Sequence, residues 1–498
     1  MTEGQQRRPQ RRQQSGARPG APTSSGGAGG RRPADGQRGP VRTVQPARRV
    51  AFDVLRAVSE VEAYANLALP GAIAEAGLDP QDAALATELT YGTLRRRGTY
   101  DAIIAAAAER DVESIDPVVL DALRLAVHQL LATRVAPHAA VNESVNLVAT
   151  LVGRGASSFT NAVLRRISRD TPEYWEERIE QDARSDDERL ALRTAHPVWV
   201  IRALRRSLAA EGRVEELEAL LEADNASPEV TLVALPGLAD PGEPRRPYAE
   251  TAFASPGGDP HRIVAGSGGT VRVQDEGSQL VALALTAAAP IRAGERWMDL
   301  CAGPGGKTAL LASIARQHDR VVLEANEVVP ARAGLVRTAL RAVPGEVVVH
   351  QDDGREIGAR AGEFDRILVD APCTGLGALR RRPEARWRKT PADVAELVPL
   401  QVELLTAAVE ALAPGGIVAY VTCSPHLAET TGVVQDVLRS RADLTELDAR
   451  AVVSNLSRST IDLADDERSG SGSVQLWPHR HGTDAMFLAL LQRAPKES

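Results

Sequence analysis

From residue 276 onward, apolar runs alternate with helical stretches, and this alternation constrains the fold more than any other feature of the chain. Trp297–Leu300, Val321–Ala325, Val347–Val349, Ile367–Val369 and Ile417–Val421 read as buried strands. Helical segments are predicted between them, near 308–316, 330–342, 393–412 and 427–440. Strand and helix in turn imply a doubly wound, mostly parallel α/β sheet. Such sheets bind ligands beyond the carboxyl ends of their strands. Asp299, Glu327, Asp353, Asp370, Cys373 and Cys423 all fall at or just after those ends.

The rest of the 498-residue chain has a different character. Residues 46–170 show helical periodicity, with Val50, Val54, Leu55 and Val58 on one face. Asp116-Pro117 reads as an N-cap followed by proline in the first turn. Leu120, Leu123, Val127, Leu130 and Leu131 then form an apolar stripe. This is expected to be a small all-α domain. Residues 171–275 read as a charged helical connector and a small α+β insert, with strands at Val230–Leu235 and Val271–Val273. The catalytic part is expected over 276–498.

Charge separates a further segment. The net formal charge is −7, yet residues 1–49 carry eleven Arg against Glu3 and Asp35, about +9. Residues 1–45 are rich in Gly, Pro, Gln and Ser and are expected to be a disordered basic arm. Either a solvated tail or a salt-sensitive nucleic-acid contact fits that charge. No apolar run is long enough to span a membrane, and the N-terminus has no apolar signal core. A reduced, cytoplasmic protein, monomeric and without membrane contact, is the expectation. Three cysteines at long spacings exclude a disulfide framework and a four-cysteine metal site.

The segment Asp299-Leu-Cys-Ala-Gly-Pro-Gly-Gly-Lys-Thr308 is a strand end, a glycine loop and a helix start. A phosphate-binding P-loop would need glycine where Cys301 stands, and the dinucleotide glycine spacing fails as well. What remains is the nucleoside-binding loop of S-adenosylmethionine enzymes. Cys301, Ala302, Gly303, Pro304, Gly305, Gly306 and Lys307 would line it, with Cys301 as a small packing residue. Glu327, after the second strand, suits the ribose hydroxyls, and Asp353, after the third, suits the adenine amino group.

Asp370-Ala-Pro-Cys373 follows the fourth strand and Thr-Cys423-Ser-Pro follows the fifth. Each thiol is expected beside a helix start, where a thiolate is favoured. A pyrimidine C5 is too weak a nucleophile to take a methyl group directly. A thiolate adding at C6 makes C5 enamine-like and able to attack a sulfonium methyl. Asp370 suits a hydrogen bond to the ring at N3. From the residues alone the two thiols cannot be ranked. Arg380, Arg381, Arg382, Arg386, Arg388 and Lys389, with Trp387 among them, read as a track for a nucleic-acid backbone.

These residues resemble the Sun/Fmu family of RNA cytosine-C5 methyltransferases. The matching stretches are QDEGSQL (274–280), DLCAGPGGKT (299–308), Asp353 in QDDGRE, FDRILVDAPCTGLGALRRRPEARW (364–387), YVTCSP (420–425) and LWPHRHGTDAMFLALL (476–491). The resemblance implies that Cys423 is the nucleophile and that Cys373 assists product release. ELTYGTLRRRG (88–98), AVNESVNLV (140–148) and FTNAVLRRI (159–167) resemble the NusB-type RNA-binding fold. Joined in one chain over 46–491, the two are similar to RsmB-type 16S rRNA methyltransferases. Another RNA such as tRNA, uracil instead of cytosine, or a non-catalytic RNA-binding assembly factor are the alternatives. The basic arm lies outside the family pattern, and Thr374 and Leu376 vary the loop after Cys373.

Overall fold

The computed structural model describes residues 44–464 and 472–496. All but the last two residues of the expected basic arm therefore lie outside the described residues.

The N-terminal region is helical, as its periodicity predicts. In the helix Pro46–Glu60, Val50, Val54, Leu55 and Val58 are all buried on one side. Asp116 caps the helix Pro117–Ala132 by accepting from the backbone N–H groups of Val118 and Val119, and Pro117 occupies the first turn. Leu123, Ala126 and Val127 of that helix lose essentially all solvent contact. Burial of a Leu or Val side chain stabilises by about 1.5–3 kcal/mol. The same core continues past residue 170, because Trp175 and Ile179 of the helix Pro172–Glu180 are buried in it. Further helices, Asp186–Thr194, Val198–Ala210 and Leu217–Asn225, lead to a small antiparallel sheet. Its strands are β1 (Thr231–Ala234), β2 (Ala252–Ala254) and β3 (Val271–Val273), in the order β2-β1-β3.

The C-terminal region holds the large sheet. Its strands are β4 (Arg296–Asp299), β5 (Val322–Asn326), β6 (Val348–His350), β7 (Phe364–Asp370), β8 (Leu412–Thr422), β9 (Leu444–Leu447), β10 (Val474–Gln475) and β11 (Phe487–Arg493). The order is β10-β11-β8-β7-β4-β5-β6, with β9 also paired to β11. Strands β4 to β8 are mutually parallel where they pair, and β11 runs antiparallel to β8. One face is covered by Glu276–Ala287, Gly306–Ala315 and Pro330–Leu340, the other by Pro391–Ala411 and Thr431–Ser440. The chain goes outward from β4 through β5 to β6, then returns to β4's other side for β7 and β8. That reversal between β4 and β7 is where such sheets open a binding crevice.

Register brings the chemistry to this crevice. Asp299 lies opposite Leu368, so Asp299 and Asp370 end neighbouring strands two residues out of step. Asp370 pairs with Val421, so the segments after β7 and β8 leave the sheet side by side.

Candidate active site

The loop after β4 is held by its neighbours before any ligand is considered. Asn326 at the end of β5 donates to the carbonyls of Leu300 (3.2 Å) and Asp352 (3.0 Å) and accepts from Asp352 N–H, bracing three strand ends together. Glu327 accepts from the N–H groups of Gly303 and Val329, both at 3.0 Å, and lies 3.3 Å from the Arg332 guanidinium. Arg332 also donates to the Gly303 carbonyl at 2.8 Å. The glycines answer to this packing. A Cβ on Gly303 would stand 2.2 Å from a Glu327 oxygen. Gly305 has φ +102°, and its Cβ would stand 2.7 Å from Ala339 Cβ and 2.8 Å from Val336 Cα. Gly305→Ala is therefore expected to destabilise the fold by about 1–3 kcal/mol, read from the shift of a urea unfolding midpoint.

Two buried oxygens beside this loop have no hydrogen-bond partner. Asp299 is fully buried; Oδ2 accepts from the Thr308 hydroxyl at 2.7 Å, while Oδ1 has no partner. Burial, opposed by the Thr308 hydrogen bond, pushes its carboxyl up to about 7. Gln274 lies over Gly306, and its Oε1 is buried and unpaired. Such orphaned acceptors are costly unless a donor arrives. A cationic amino group such as that of S-adenosylmethionine would supply one, and the first N–H groups of Gly306–Ala315 suit its carboxylate. The residues present therefore fit this group. Gln274 was not among the sequence candidates; its place in QDEGSQL was the available signal. Asp353 caps the 3₁₀ turn Gly354–Arg360 and is gripped by the Arg355 guanidinium, which holds it down to about 2. A ligand amino group would share that carboxylate with Arg355.

Cys301 packs beside the β4 loop as expected, and burial pushes its thiol up, away from reactivity. The other two thiols meet: Cys373 Sγ and Cys423 Sγ are 3.4 Å apart. No α-helix starts directly beside either one, contrary to the sequence expectation. A loop and the 3₁₀ turn Leu376–Ala378 follow Cys373, and the 3₁₀ turn Leu427–Glu429 follows Cys423. The local charges come from side chains instead. The hydrogen bond with Cys373 holds the Cys423 thiol below its ordinary range, against burial and Asp370, with help from Arg382 and Lys307. Cys373 is driven the other way by that same hydrogen bond, by burial, and by Glu429 and Asp370. The two thiols that the sequence left equal thus have different surroundings, which favour the thiolate form at Cys423 over Cys373.

Lys307 reaches across from the β4 loop and pairs with Asp370 at 2.8 Å. Burial would lower its pKa, but the Asp370 carboxylate outweighs that, so it stays cationic. Below the thiols lies Glu429, fully buried and absent from the sequence candidates. It accepts from Thr374 N–H (2.8 Å), the Thr374 hydroxyl, Ser424 Oγ (2.6 Å) and Gln401 Nε2 (3.2 Å). One carboxylate thus ties the residue after Cys373 to the residue after Cys423. Gly377 completes the join. Its N–H donates to the Cys423 carbonyl at 2.8 Å, and a Cβ there would stand 2.1 Å from the Ala485 carbonyl oxygen.

The basic run after Cys373 does not form the continuous solvent-facing track expected from sequence. Arg380 and Arg381 both pair with Asp275 and Asp484. Arg386 is fully buried and donates to the carbonyls of Arg95, Ala195 and Asp224 and to Asn225 Oδ1. Arg388 caps the end of the helix Pro46–Glu60 through the carbonyls of Val58, Glu62 and Ala63. Lys389 pairs with Asp393. The reason is that most of these cations already have partners: Arg386 and Arg388 join this segment to the helical regions, and Arg380, Arg381 and Lys389 are held by nearby carboxylates. Arg382 alone of the six is exposed, beside Tyr64.

Comparison with known proteins agrees with this architecture. Residues 286–492 match the model of the 16S rRNA methyltransferase RsmB/F family, and residues 45–169 match the NusB family. The Mycobacterium tuberculosis protein Rv1407 is 50% identical over 466 residues, covering 92% of this chain and 98% of the relative. The ribosomal RNA small subunit methyltransferase B of Salmonella typhi is 30% identical, over 73% of this chain and 83% of its own length. The crystal structure of PH0851 shares the fold, with a TM-score of 0.74 at 22% identity, covering 91% of this chain and 99% of that one. With a NusB-like helical region, a doubly wound methyltransferase sheet and relatives matched along most of its length, the chain belongs to the 16S rRNA methyltransferase RsmB/F family.

Proposed function

We propose that this protein methylates C5 of a cytosine in 16S rRNA, using S-adenosylmethionine and a covalent bond from Cys423 to C6 of the base. The observation that carries the proposal is the pair of thiols 3.4 Å apart just beyond the ends of β7 and β8, with the Cys423 thiol held below its ordinary range. When bound, S-adenosylmethionine would supply an electrophilic methyl group. Asp299 and Gln274 would hold its amino group, and Glu327 and Asp353 its nucleoside end. The residues of this chain prepare the base.

Cys423 Sγ gives its electron pair to C6, and the ring's C5–C6 π pair moves toward C5 and the N3 edge. N3 takes up a proton from water as this charge develops, and the Asp370 carboxylate, held by Lys307, accepts a hydrogen bond from that edge of the ring. After C5 is methylated, its remaining proton passes to a solvent base, the freed electron pair re-forms the C5–C6 double bond, and the Cys423 sulfur leaves with the C–S pair as thiolate. Cys373, beside the leaving sulfur, assists this release. Glu429 keeps the two loops at the required spacing.

The experiment is methylation of a 16S rRNA transcript by the purified protein, with digestion and mass spectrometry of the nucleosides. 5-Methylcytidine is expected, and 5-methyluridine or an unmodified digest would overturn the proposal. A pH profile gives a second check. Adduct formation needs the thiolate, so its rate rises with pH through the Cys423 thiol, below the ordinary thiol value of about 8.5. Cys373→Ala removes the donor that stabilises the thiolate, so the rise is expected to move to higher pH in single-turnover measurements.

A further inference from the structure

Among the contacts between the helical N-terminal region and the segment after Cys373 is one aromatic side chain, Tyr64. Tyr64 precedes the helix Ala65–Glu75 and keeps 46% of its surface exposed. Its surroundings are fixed. The Arg388 guanidinium stands 5.3 Å from the ring centroid while donating to the carbonyls of Val58, Glu62 and Ala63. Buried Glu384 accepts from the N–H of Ala65 at 3.1 Å. Gly98 lets the Trp387 ring approach so closely that a Cβ would stand 2.2 Å from it. The segment 384–388 is thus joined to the N-terminal helices on three sides.

Arg382 differs from its neighbours in the run. It is exposed, its guanidinium stands 5.7 Å from the Tyr64 centroid, and it is one of the cations acting on Cys423. An aromatic face gives a guanidinium an orientation without consuming its N–H donors. Those donors remain free to grip an anion. Near a thiol that must reach an unstacked base, the anion with the right chemistry is a phosphate of single-stranded RNA.

We propose that Tyr64 is a positioning residue that holds Arg382 against an RNA backbone phosphate next to the target nucleotide, so that the N-terminal region forms one wall of the RNA entrance. This rests on the RNA methyl-transfer reading, but the salt-slope part of its test does not require turnover. In full-length protein, Arg382→Ala is expected to reduce the slope of log affinity against log salt for a single-stranded RNA by about one phosphate contact. Tyr64→Ala is expected to do the same and to raise KM for RNA about tenfold, with a smaller change in kcat. Tyr64→Phe, which keeps the ring, is expected to restore the parent's KM and salt slope. S-adenosylmethionine affinity, measured by calorimetry, is expected to be equal in all four proteins. A parental salt slope in Tyr64→Ala, or a Phe variant as impaired as the Ala variant, would overturn the proposal. A protein that binds RNA with these slopes but transfers no methyl group would instead refute the catalytic reading and leave Tyr64 and Arg382 in place.

Discussion

Cys423→Ala is expected to lower methyl transfer to RNA by at least about a thousandfold while leaving the fold and S-adenosylmethionine binding intact. The size of the effect follows from the chemistry. Without a sulfur at C6 the ring keeps its aromatic character, and C5 has no electron pair to offer. No other described side chain stands in the same place. Cys373 is 3.4 Å away; its hydrogen bond to Cys423 goes with the substitution, but burial and the carboxylates of Glu429 and Asp370 still favour its neutral form. The substitution removes one partly exposed sulfur and none of the hydrogen bonds that Glu429 makes to Thr374, Ser424 and Gln401. Activity assayed with a labelled methyl donor, beside a calorimetric titration of the donor, separates the two effects. A residual rate within tenfold of the parent would mean that Cys423 is not the nucleophile.

The largest stability effect is expected far from the thiols. Arg386→Ala is expected to cost about 3–5 kcal/mol in urea unfolding, the range for removing one partner of a buried charged network. The guanidinium has no solvent exposure and joins three stretches of chain. It donates to Arg95 of the N-terminal helices, to Ala195, Asp224 and Asn225 of the connecting helices, and it belongs itself to the segment after Cys373. Its loss strands those acceptors. It also removes a cation that lowers the buried Asp224 carboxyl, which burial has already pushed up to about 7. Arg386→Lys keeps a charge but not the planar set of donors, so it is expected to recover part of that loss. A change under 1 kcal/mol in Arg386→Ala would show that the junction does not depend on this residue.

The sheet was legible because its signals are local. Strand, loop and helix alternate within thirty or so residues, and the acids and cysteines mark strand ends regardless of what lies around them. Asp299 closes β4, Asp370 closes β7, and Cys423 directly follows β8. What failed depended on distant partners. The arginines after Cys373 look like a nucleic-acid track when read as a run. Asp275 and Asp484, which neutralise two of them, stand about a hundred positions away on either side. Glu429 is a solvated-looking acid in a polar stretch until folding puts Thr374, 55 positions earlier, beside it. The glycines of the β4 loop suggested close approach of a ligand. Gly303 and Gly305 also answer to Glu327 and to the helix Pro330–Leu340, contacts that exist only once β5 is in place. The order of the two thiols depends on the same kind of information, since it rests on which charges surround each sulfur.

The covalent step is the centre of this mechanism, and it can be seen directly. The parent, Cys373→Ala and Cys423→Ala are each incubated with 16S rRNA and S-adenosylmethionine, then run on a denaturing gel with labelled RNA. The mechanism predicts a denaturant-resistant protein–RNA band that accumulates in Cys373→Ala, where release is blocked, and none in Cys423→Ala. A band that accumulates in Cys423→Ala would exchange the roles of the two thiols, and the absence of a band in both variants would contradict covalent catalysis.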